Sequence, residues 1–88
     1  MAWTLEFSET SVRSLRKLDR QVSRRVTNYL RGVAALDDPR ERGKALTGNL
    51  AGLWRYRVED YRVVCEIRDD VLTIYAIDVD HRSEIYRA

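Results

Sequence analysis

The alternation of residue types in Leu53–Ile67 constrains the fold of this chain more than any other feature. Two runs of alternating apolar and polar residues flank Glu59-Asp60, a pattern typical of a β-hairpin with its turn at that dipeptide. In the register that this turn implies, one face of the hairpin is apolar and aromatic, and its directly opposed pairs are Trp54–Cys65, Tyr56–Val63 and Val58–Tyr61.

The other face of the predicted hairpin concentrates positive charge. Arg57 lies directly opposite Arg62, and Arg55 lies opposite Val64. Like charges opposed across a sheet repel by roughly a few tenths to 1 kcal/mol, so a sheet that only had to fold gains by avoiding this pair. Three guanidiniums on one face favour an anion with several oxygens, such as phosphate. The alternative is that these are ordinary surface arginines, paired in solvent with Glu59, Asp60 and Glu66.

A short strand and two helices are predicted ahead of the hairpin. Trp3–Phe7 alternates apolar and polar residues, as a half-buried strand does. Ser8 is placed to cap a first helix and Asp19 a second. Apolar residues then recur at helical spacing until Pro39, because the residue before proline avoids the helical region. The apolar stripes of the two helices are Val12, Leu15 and Leu18, followed by Val22, Val26, Tyr29, Leu30 and Val33.

The rest of the chain completes an α+β fold. Arg40–Gly52 is predicted to be a connecting loop whose two leucines, Leu46 and Leu50, lie under the sheet. Val71–Val79 is predicted to be a third hairpin strand, antiparallel to its predecessor, with Cys65 opposite Ile74. We therefore predict a single domain over residues 1–88, in which an N-terminal strand, an α-hairpin and a three-stranded antiparallel meander form one sheet with two helices packed on one face.

Composition excludes several classes of function. The 88 residues include 16 Lys and Arg and 14 Asp and Glu, but Arg42–Val58 has four basic residues and no acid, so positive charge is local. No apolar run approaches the roughly 18 residues of a membrane span, and no signal-peptide pattern is present. One His and one Cys cannot build a zinc site, and glycine-rich phosphate loops are absent. We expect a cytoplasmic protein with no cofactor, no metal and no membrane partner.

The C-terminal tail can add chemistry to the arginine face. His81, Arg82 and Tyr86 follow a strand expected to lie beside Arg62, and the tail is expected to leave the sheet and make one short helical turn. Folded back, these side chains would add an imidazole, a guanidinium and a phenol. Alternatively, Tyr86 only anchors the C-terminus and His81 is a surface residue at a strand end.

Several stretches together resemble a known family. They are Trp54-Arg55-Tyr56-Arg57, Asp60-Tyr61-Arg62-Val63-Val64, Val79-Asp80-His81-Arg82-Ser83-Glu84-Ile85-Tyr86-Arg87 and the preceding Leu46-Thr47-Gly48. In this order and spacing they resemble the RelE branch of the RelE/ParE toxin superfamily, over essentially the whole chain. The resemblance implies the toxin of a prokaryotic type II toxin–antitoxin pair, a metal-independent endoribonuclease that cuts mRNA in the ribosomal A site. Its expected partners are a cognate antitoxin, the ribosome and mRNA.

Site residues are carried over from the family by position. Arg57 and Arg62 are expected on the scissile phosphate, and Lys44 among RNA or ribosome backbone contacts. Arg55 and Arg82 are expected to support the phosphate. The best-known pattern has lysines where this chain has Arg55 and Arg57, and arginine is a poor general base. Proton transfer is therefore expected from Tyr86 or His81.

Two other functions remain compatible with the sequence. The ParE branch of the same superfamily shares the frame and inhibits DNA gyrase without a ribonuclease site. A non-catalytic RNA-binding module could also use an arginine face only to hold phosphates. The tail pattern around His81 and Tyr86 favours the RelE branch.

Overall fold

The computed structural model describes residues 3–81, in which two helices pack on one face of a five-stranded mixed sheet. This architecture confirms the predicted α+β fold. The elements are β1 (Thr4–Phe7), α1 (Glu9–Lys17), α2 (Arg20–Ala34), β2 (Lys44–Ala45), β3 (Trp54–Val58), β4 (Tyr61–Arg68) and β5 (Thr73–His81), with short 3₁₀ turns at Pro39–Glu41, Gly48–Leu50 and Asp69–Val71.

The sheet has the order β1-β5-β4-β3-β2. The predicted antiparallel meander is its centre, and β1 adds to one edge, parallel to β5. The prediction that Arg40–Gly52 is entirely a loop was wrong, because Lys44 and Ala45 pair with Arg55 and Trp54 to form the opposite edge. Among residues 3–81, no helix is long and apolar enough to cross a membrane.

The predicted register of the β3–β4 hairpin is confirmed. Arg57 pairs with Arg62 and Trp54 with Cys65, as expected from a turn at Glu59-Asp60. Glu59 has a φ of 56°, in the left-handed region that ordinary residues rarely adopt. Its carboxylate forms an ion pair with Arg25 of α2, which ties the turn to the helix layer.

Local capping and apolar periodicity explain the two helices. The side chain of Ser8 accepts from the backbone N–H of Ser11, and that of Asp19 accepts from Gln21, so both predicted caps are confirmed. The helix stripes meet the apolar side chains of the sheet in one core, whose fully buried members include Val26, Leu30, Val33, Tyr56, Val63, Cys65, Ile74 and Ala76. Leu50, expected under the sheet, is 38% exposed because it lies in a surface 3₁₀ turn.

The predicted register between β4 and β5 was wrong. Cys65 lies opposite Ala76 instead of Ile74, a shift of two residues from the predicted register. A second shift, of one residue, occurs at an irregularity between Val64 and Cys65. Beyond it, Val64 lies opposite Asp78, so Ile77 is an extra residue on β5, as in a β-bulge. Because side chains alternate along a strand, this single residue reverses the faces of everything that follows it.

The start of α1 holds the bulge in place. The hydroxyl of Ser8 donates to the carbonyl oxygen of Ile77 at 2.6 Å, and that of Ser11 donates to the carbonyl of Ala76 at 3.0 Å. The backbone N–H of Ser8 also donates to the Ala76 carbonyl. Ser11 is fully buried, so these bonds give hydrogen-bond donors to the carbonyl oxygens of Ala76 and Ile77 at a place where the strand pairing is irregular. The bulge is therefore a stabilised feature of the fold.

Candidate functional site

The sheet face turned away from the helices, called the outer face below, carries two rows of side chains running across the strands, all of them charged except the buried Val64. One row follows the pairs Lys44–Arg55, Arg55–Val64 and Val64–Asp78. The other follows the pairs Arg57–Arg62 and Arg62–Asp80. The rows are basic on β2 and β3 and acidic on β5. The structure thus brings four of the predicted site residues together: Lys44, Arg55, Arg57 and Arg62.

The carboxylates of Glu59, Asp60 and Glu66, expected to pair with these arginines, do not form ion pairs with Arg55 or Arg57 in the described residues. Glu59 pairs with Arg25, and Glu66 pairs with Arg68 on its own strand. Within residues 3–81, Arg55 and Arg57 form no ion pair. The expected pairs of these two guanidiniums with Glu59, Asp60 and Glu66 are therefore not formed in the described part of the chain.

Arg62 is the most constrained of the cluster. Its Nη2 lies 3.6 Å from Oδ2 of Asp80, and the two side chains are 21% and 30% exposed. Its Nε is buried and has no hydrogen-bond acceptor among the described residues. A buried donor without an acceptor costs about 1–3 kcal/mol, so Arg62 gains from an oxyanion that accepts its hydrogen bonds.

Asp80 shares this environment and was not among the predicted site residues. Burial raises the pKa of its carboxyl, the negative charge and hydrogen bonding of Asp78 raise it further, and Arg62 opposes them. The reversal of faces at Ile77 explains the omission, since a regular strand would place both aspartates on the core face. An alternation pattern contains no signal for that extra residue.

His81 does not lie on the outer face, contrary to expectation. It pairs with Tyr61 across β4 and β5, and the two rings meet edge to face with centroids 5.0 Å apart. Tyr61 and Arg62 are neighbours in β4 and point to opposite faces of the sheet. The imidazole is therefore separated from Arg62 by the sheet itself. The other two predicted tail residues, Arg82 and Tyr86, lie outside the described residues.

The position of Arg55 depends on a close backbone contact at Gly43. This glycine has a φ of 80°, and a Cβ there would lie 2.3 Å from the carbonyl oxygen of Arg55. The indole Nε1 of Trp54 donates to the carbonyl of Arg42 at 2.7 Å. Together these contacts hold Lys44 alongside Arg55 at the sheet edge.

Other chemistry finds little support in residues 3–81. Cys65 is fully buried, and burial raises the pKa of its thiol to about 12, so the thiolate needed of a nucleophile is not formed near neutral pH. Within that part of the chain, no group of three or more His, Cys, Asp or Glu side chains is arranged to hold a metal ion.

A second basic surface lies on the helix layer. A groove of about 460 Å³ runs between the end of α1 and the exposed side of α2. Four arginines line it together with small polar side chains: Arg16, Arg20, Arg24 and Arg31, with Ser23, Thr27 and Asn28. It contains none of the residues of the outer face.

Comparison with known proteins agrees with this geometry. The profile of the family described as the ParE toxin of the type II toxin–antitoxin system parDE matches residues 5–86. Toxin RelG of Mycobacterium tuberculosis is 34% identical over 87 residues, covering 99% of both chains. A chain of the toxin–antitoxin complex RelBE2 from the same organism is 31% identical, covers 94% of both chains and has a TM-score of 0.84. A double mutant of E. coli toxin RelE in the free state is 25% identical, with a TM-score of 0.77, covering 98% of this chain and 88% of that one.

The sequence comparisons and the structural comparisons both indicate the family to which this chain belongs. The family profile spans nearly the whole chain, and the identity to RelG extends from end to end. The solved structures share the same arrangement of two helices on a mixed sheet. The resemblance predicted from the sequence is confirmed. This chain belongs to the RelE/ParE superfamily as a RelE-like toxin of a type II toxin–antitoxin system.

Proposed function

We propose that this toxin is a ribosome-dependent endoribonuclease that cleaves mRNA in the A site and so inhibits translation. The observation that carries the proposal is the opposed pair of Arg57 and Arg62 on the outer face, where Arg57 has no ion pair among the described residues and Arg62 has an unsatisfied buried donor. A pair that the sheet itself disfavours is best explained by an anionic substrate.

The proposed reaction is a transesterification within the RNA strand. The 2′-hydroxyl attacks the adjacent phosphorus, and the bond from phosphorus to the 5′-oxygen breaks. The protein must remove one proton, supply another and stabilise extra negative charge on the phosphoryl oxygens. Guanidiniums meet the last requirement without any metal ion, because their fixed fork matches phosphate geometry.

The arginines divide this task by position. Arg57 and Arg62 lie side by side on neighbouring strands, so we assign them to the scissile phosphate. Arg55 is in the next row, two residues from Arg57, and supports the same phosphate or its neighbour. Arg82 is assigned a supporting role through the family resemblance.

Proton donation to the leaving 5′-oxygen is assigned to Tyr86 through the same resemblance. Because the imidazole of His81 packs against Tyr61 on the opposite side of the sheet, it is the weaker candidate. Arg55 and Arg57 remain protonated at neutral pH and cannot accept the proton of the 2′-hydroxyl.

Contacts to the RNA and ribosome backbone are assigned to the remaining basic surfaces. Lys44 extends the row of Arg55 to the sheet edge. The groove on α2 offers further guanidiniums, among which Arg20 and Arg24 form no ion pair within residues 3–81. Such sequence-independent contacts predict a steep decrease of affinity with salt.

A cognate antitoxin is the proposed protein partner. The similar RelBE2 chain from M. tuberculosis was solved as a toxin–antitoxin complex, and the archaeal RelE–RelB complex from Pyrococcus horikoshii has a TM-score of 0.73 at 25% identity. We propose that the antitoxin covers apolar and basic surfaces of this chain with an extended or helical segment.

The test is cleavage of mRNA on programmed ribosomes by the purified toxin. Wild type should cut in the A site, and Arg62→Ala should abolish cutting while circular dichroism and the melting temperature show a folded protein. Arg13→Ala is the matched control, because this exposed arginine pairs within residues 3–81 only with Glu9 on α1. Its activity should equal that of wild type.

The outcomes separate this proposal from the other functions. The family profile carries the ParE name, so gyrase inhibition is the second candidate. Intact mRNA together with gyrase-linked DNA breaks would replace the proposal with that activity. Salt-sensitive RNA binding without either activity would indicate a non-catalytic module.

A further inference from the structure

The proposed ribonuclease has an unfilled role, that of the group which accepts the proton of the attacking 2′-hydroxyl. Arginine cannot serve, and the imidazole of His81 lies on the other side of the sheet. On the outer face, Glu66 is tied to Arg68, and the carboxylates remaining near the arginine pair are Asp78 and Asp80. We propose that Asp80 is the general base of this toxin. The assignment rests on the proposed endoribonuclease activity.

Position supports Asp80 over Asp78. Asp80 ends the row that contains Arg57 and Arg62, with each side chain one strand spacing, about 4.8 Å, from the next. A phosphate held by the two arginines therefore has Asp80 beside it, at the β5 end of the row. Asp78 lies opposite Val64 in the other row, and its Oδ1 accepts from the backbone N–H of Val79 at 2.9 Å.

The contact between Asp80 and Arg62 does not itself occupy the carboxylate, whose other charged neighbour is Asp78. The Nη2-to-Oδ2 separation of 3.6 Å exceeds the usual N–H···O distance of about 2.7–3.2 Å. The pair thus orients both groups without a short hydrogen bond that a substrate would have to break. An entering phosphate can take the guanidinium donors, and the neighbouring ribose hydroxyl can donate to the carboxylate.

The charged groups around Asp80 come from three strands. Arg62 faces it from β4, Arg57 and Arg55 lie beyond on β3, and Asp78 lies on its own strand. Burial and Asp78 raise the pKa of Asp80, while Arg62 lowers it. A carboxylate with a raised pKa is a stronger base toward a hydroxyl than an ordinary surface aspartate.

The step balances without a further reactant. The 2′-O–H proton passes to a carboxylate oxygen of Asp80, and the 2′-oxygen forms a bond to phosphorus. The bond between phosphorus and the 5′-oxygen breaks, and that oxygen takes a proton from the acid assigned above, Tyr86. The products are a 2′,3′-cyclic phosphate and a 5′-hydroxyl, after which Asp80 returns its proton to water and Tyr86 regains one from water.

A merely structural role for Asp80 makes a different prediction. If the carboxylate only positions Arg62, then Asp80→Asn, which keeps the shape and an accepting oxygen, should leave cleavage close to wild type. If it is the base, the amide cannot take the proton, and single-turnover cleavage on ribosomes should decrease by about 10²–10⁴-fold. Ribosome binding, measured by co-sedimentation, should be unchanged.

The control is Asp70→Asn, which removes one exposed negative charge from the turn after β4. It should cleave like wild type. A rate for Asp80→Asn within about threefold of wild type overturns the assignment while leaving the ribonuclease proposal intact, because wild type still cuts. Wild type that does not cut overturns both.

A second variant decides the matter even if Asp80→Asn fails to fold. Removing the neighbouring charge with Asp78→Asn should lower the pKa of Asp80, so the acid limb of the cleavage rate should move to lower pH. An acid limb in the same place as that of wild type contradicts the assignment. Asp80→Glu, which keeps a carboxylate, should recover a measurable part of the rate.

Discussion

Arg57 and Arg62 lie directly opposite each other on β3 and β4, and among the described residues only Arg62 has a carboxylate partner. Opposed like charges weaken a sheet, so this pair costs stability. Natural chains sit only slightly above the stability that function needs, and a disfavoured pair at a candidate site is the kind of exception that function explains.

Replacing Arg57 with threonine should therefore stabilise the fold. Threonine suits an exposed strand position and removes the repulsion with Arg62, so the free energy of unfolding should rise by about 0.3–1 kcal/mol. Urea denaturation followed by tryptophan fluorescence measures the change. The gain should shrink at high salt, where screening already weakens the repulsion, while mRNA cleavage should decrease. A loss of stability would show that Arg57 packs usefully in the sheet.

Gly43 should tolerate no side chain. A Cβ there would lie 2.3 Å from the Arg55 carbonyl oxygen and 2.6 Å from Nε1 of Trp54, so Gly43→Ala should cost about 2–4 kcal/mol and change the fluorescence of Trp54. Gly52→Ala is the control, since Gly52 also has a positive φ, of 94°, but open space around it. It should cost only about 1 kcal/mol. Equal losses would mean that backbone strain alone matters at both sites.

Acid should weaken the link between Arg40 and Asp69. The guanidinium hydrogen-bonds both carboxylate oxygens, at 3.0 and 2.6 Å, and holds the pKa of Asp69 below its ordinary value. Because the folded-state pKa is the lower one, this contribution is present above the unfolded-state pKa and is lost as pH falls through the folded-state value. Asp69→Asn should flatten the decrease of melting temperature in acid. Asp70→Asn should leave that decrease unchanged, and an equal effect of both variants would contradict the specific pairing.

The single thiol should be inert in the folded protein. Cys65 is fully buried and its pKa is raised to about 12, so a thiol reagent at mildly alkaline pH should react only as fast as the protein unfolds. Adding denaturant should make the reaction immediate and stoichiometric. Fast labelling of the native protein would indicate that the sheet opens locally around β4.

Local alternation was enough to predict the hairpin and its register. The two strands are joined by a turn of fixed length, so the order of apolar and polar residues determines which side chains share a face. For the same reason the alternation also predicted the arginine face. The helix caps at Ser8 and Asp19 were equally readable, because each side chain bonds to backbone a few residues away.

The pairing of β4 with β5 could not be predicted in the same way. One part of it, the extra residue Ile77, is accompanied by hydrogen bonds from Ser8 and Ser11, which reach the carbonyls of Ala76 and Ile77 from the other end of the chain. No local pattern encodes a hydrogen bond across that separation. The position predicted for His81, and the absence of Asp80 from the predicted site, both follow from the extra residue at Ile77.

The extra residue at Ile77 determines which face of the sheet each later side chain of β5 occupies. Deleting Ile77 from this chain would place His81 on the outer face and turn Asp78 and Asp80 toward the core, without any change in the other residues of β5. The number of residues between the apolar centre of β5 and His81 therefore decides which titratable side chain shares the face of Arg57 and Arg62. Chain length at this one position, more than residue identity, sets the proton chemistry that the outer face has available.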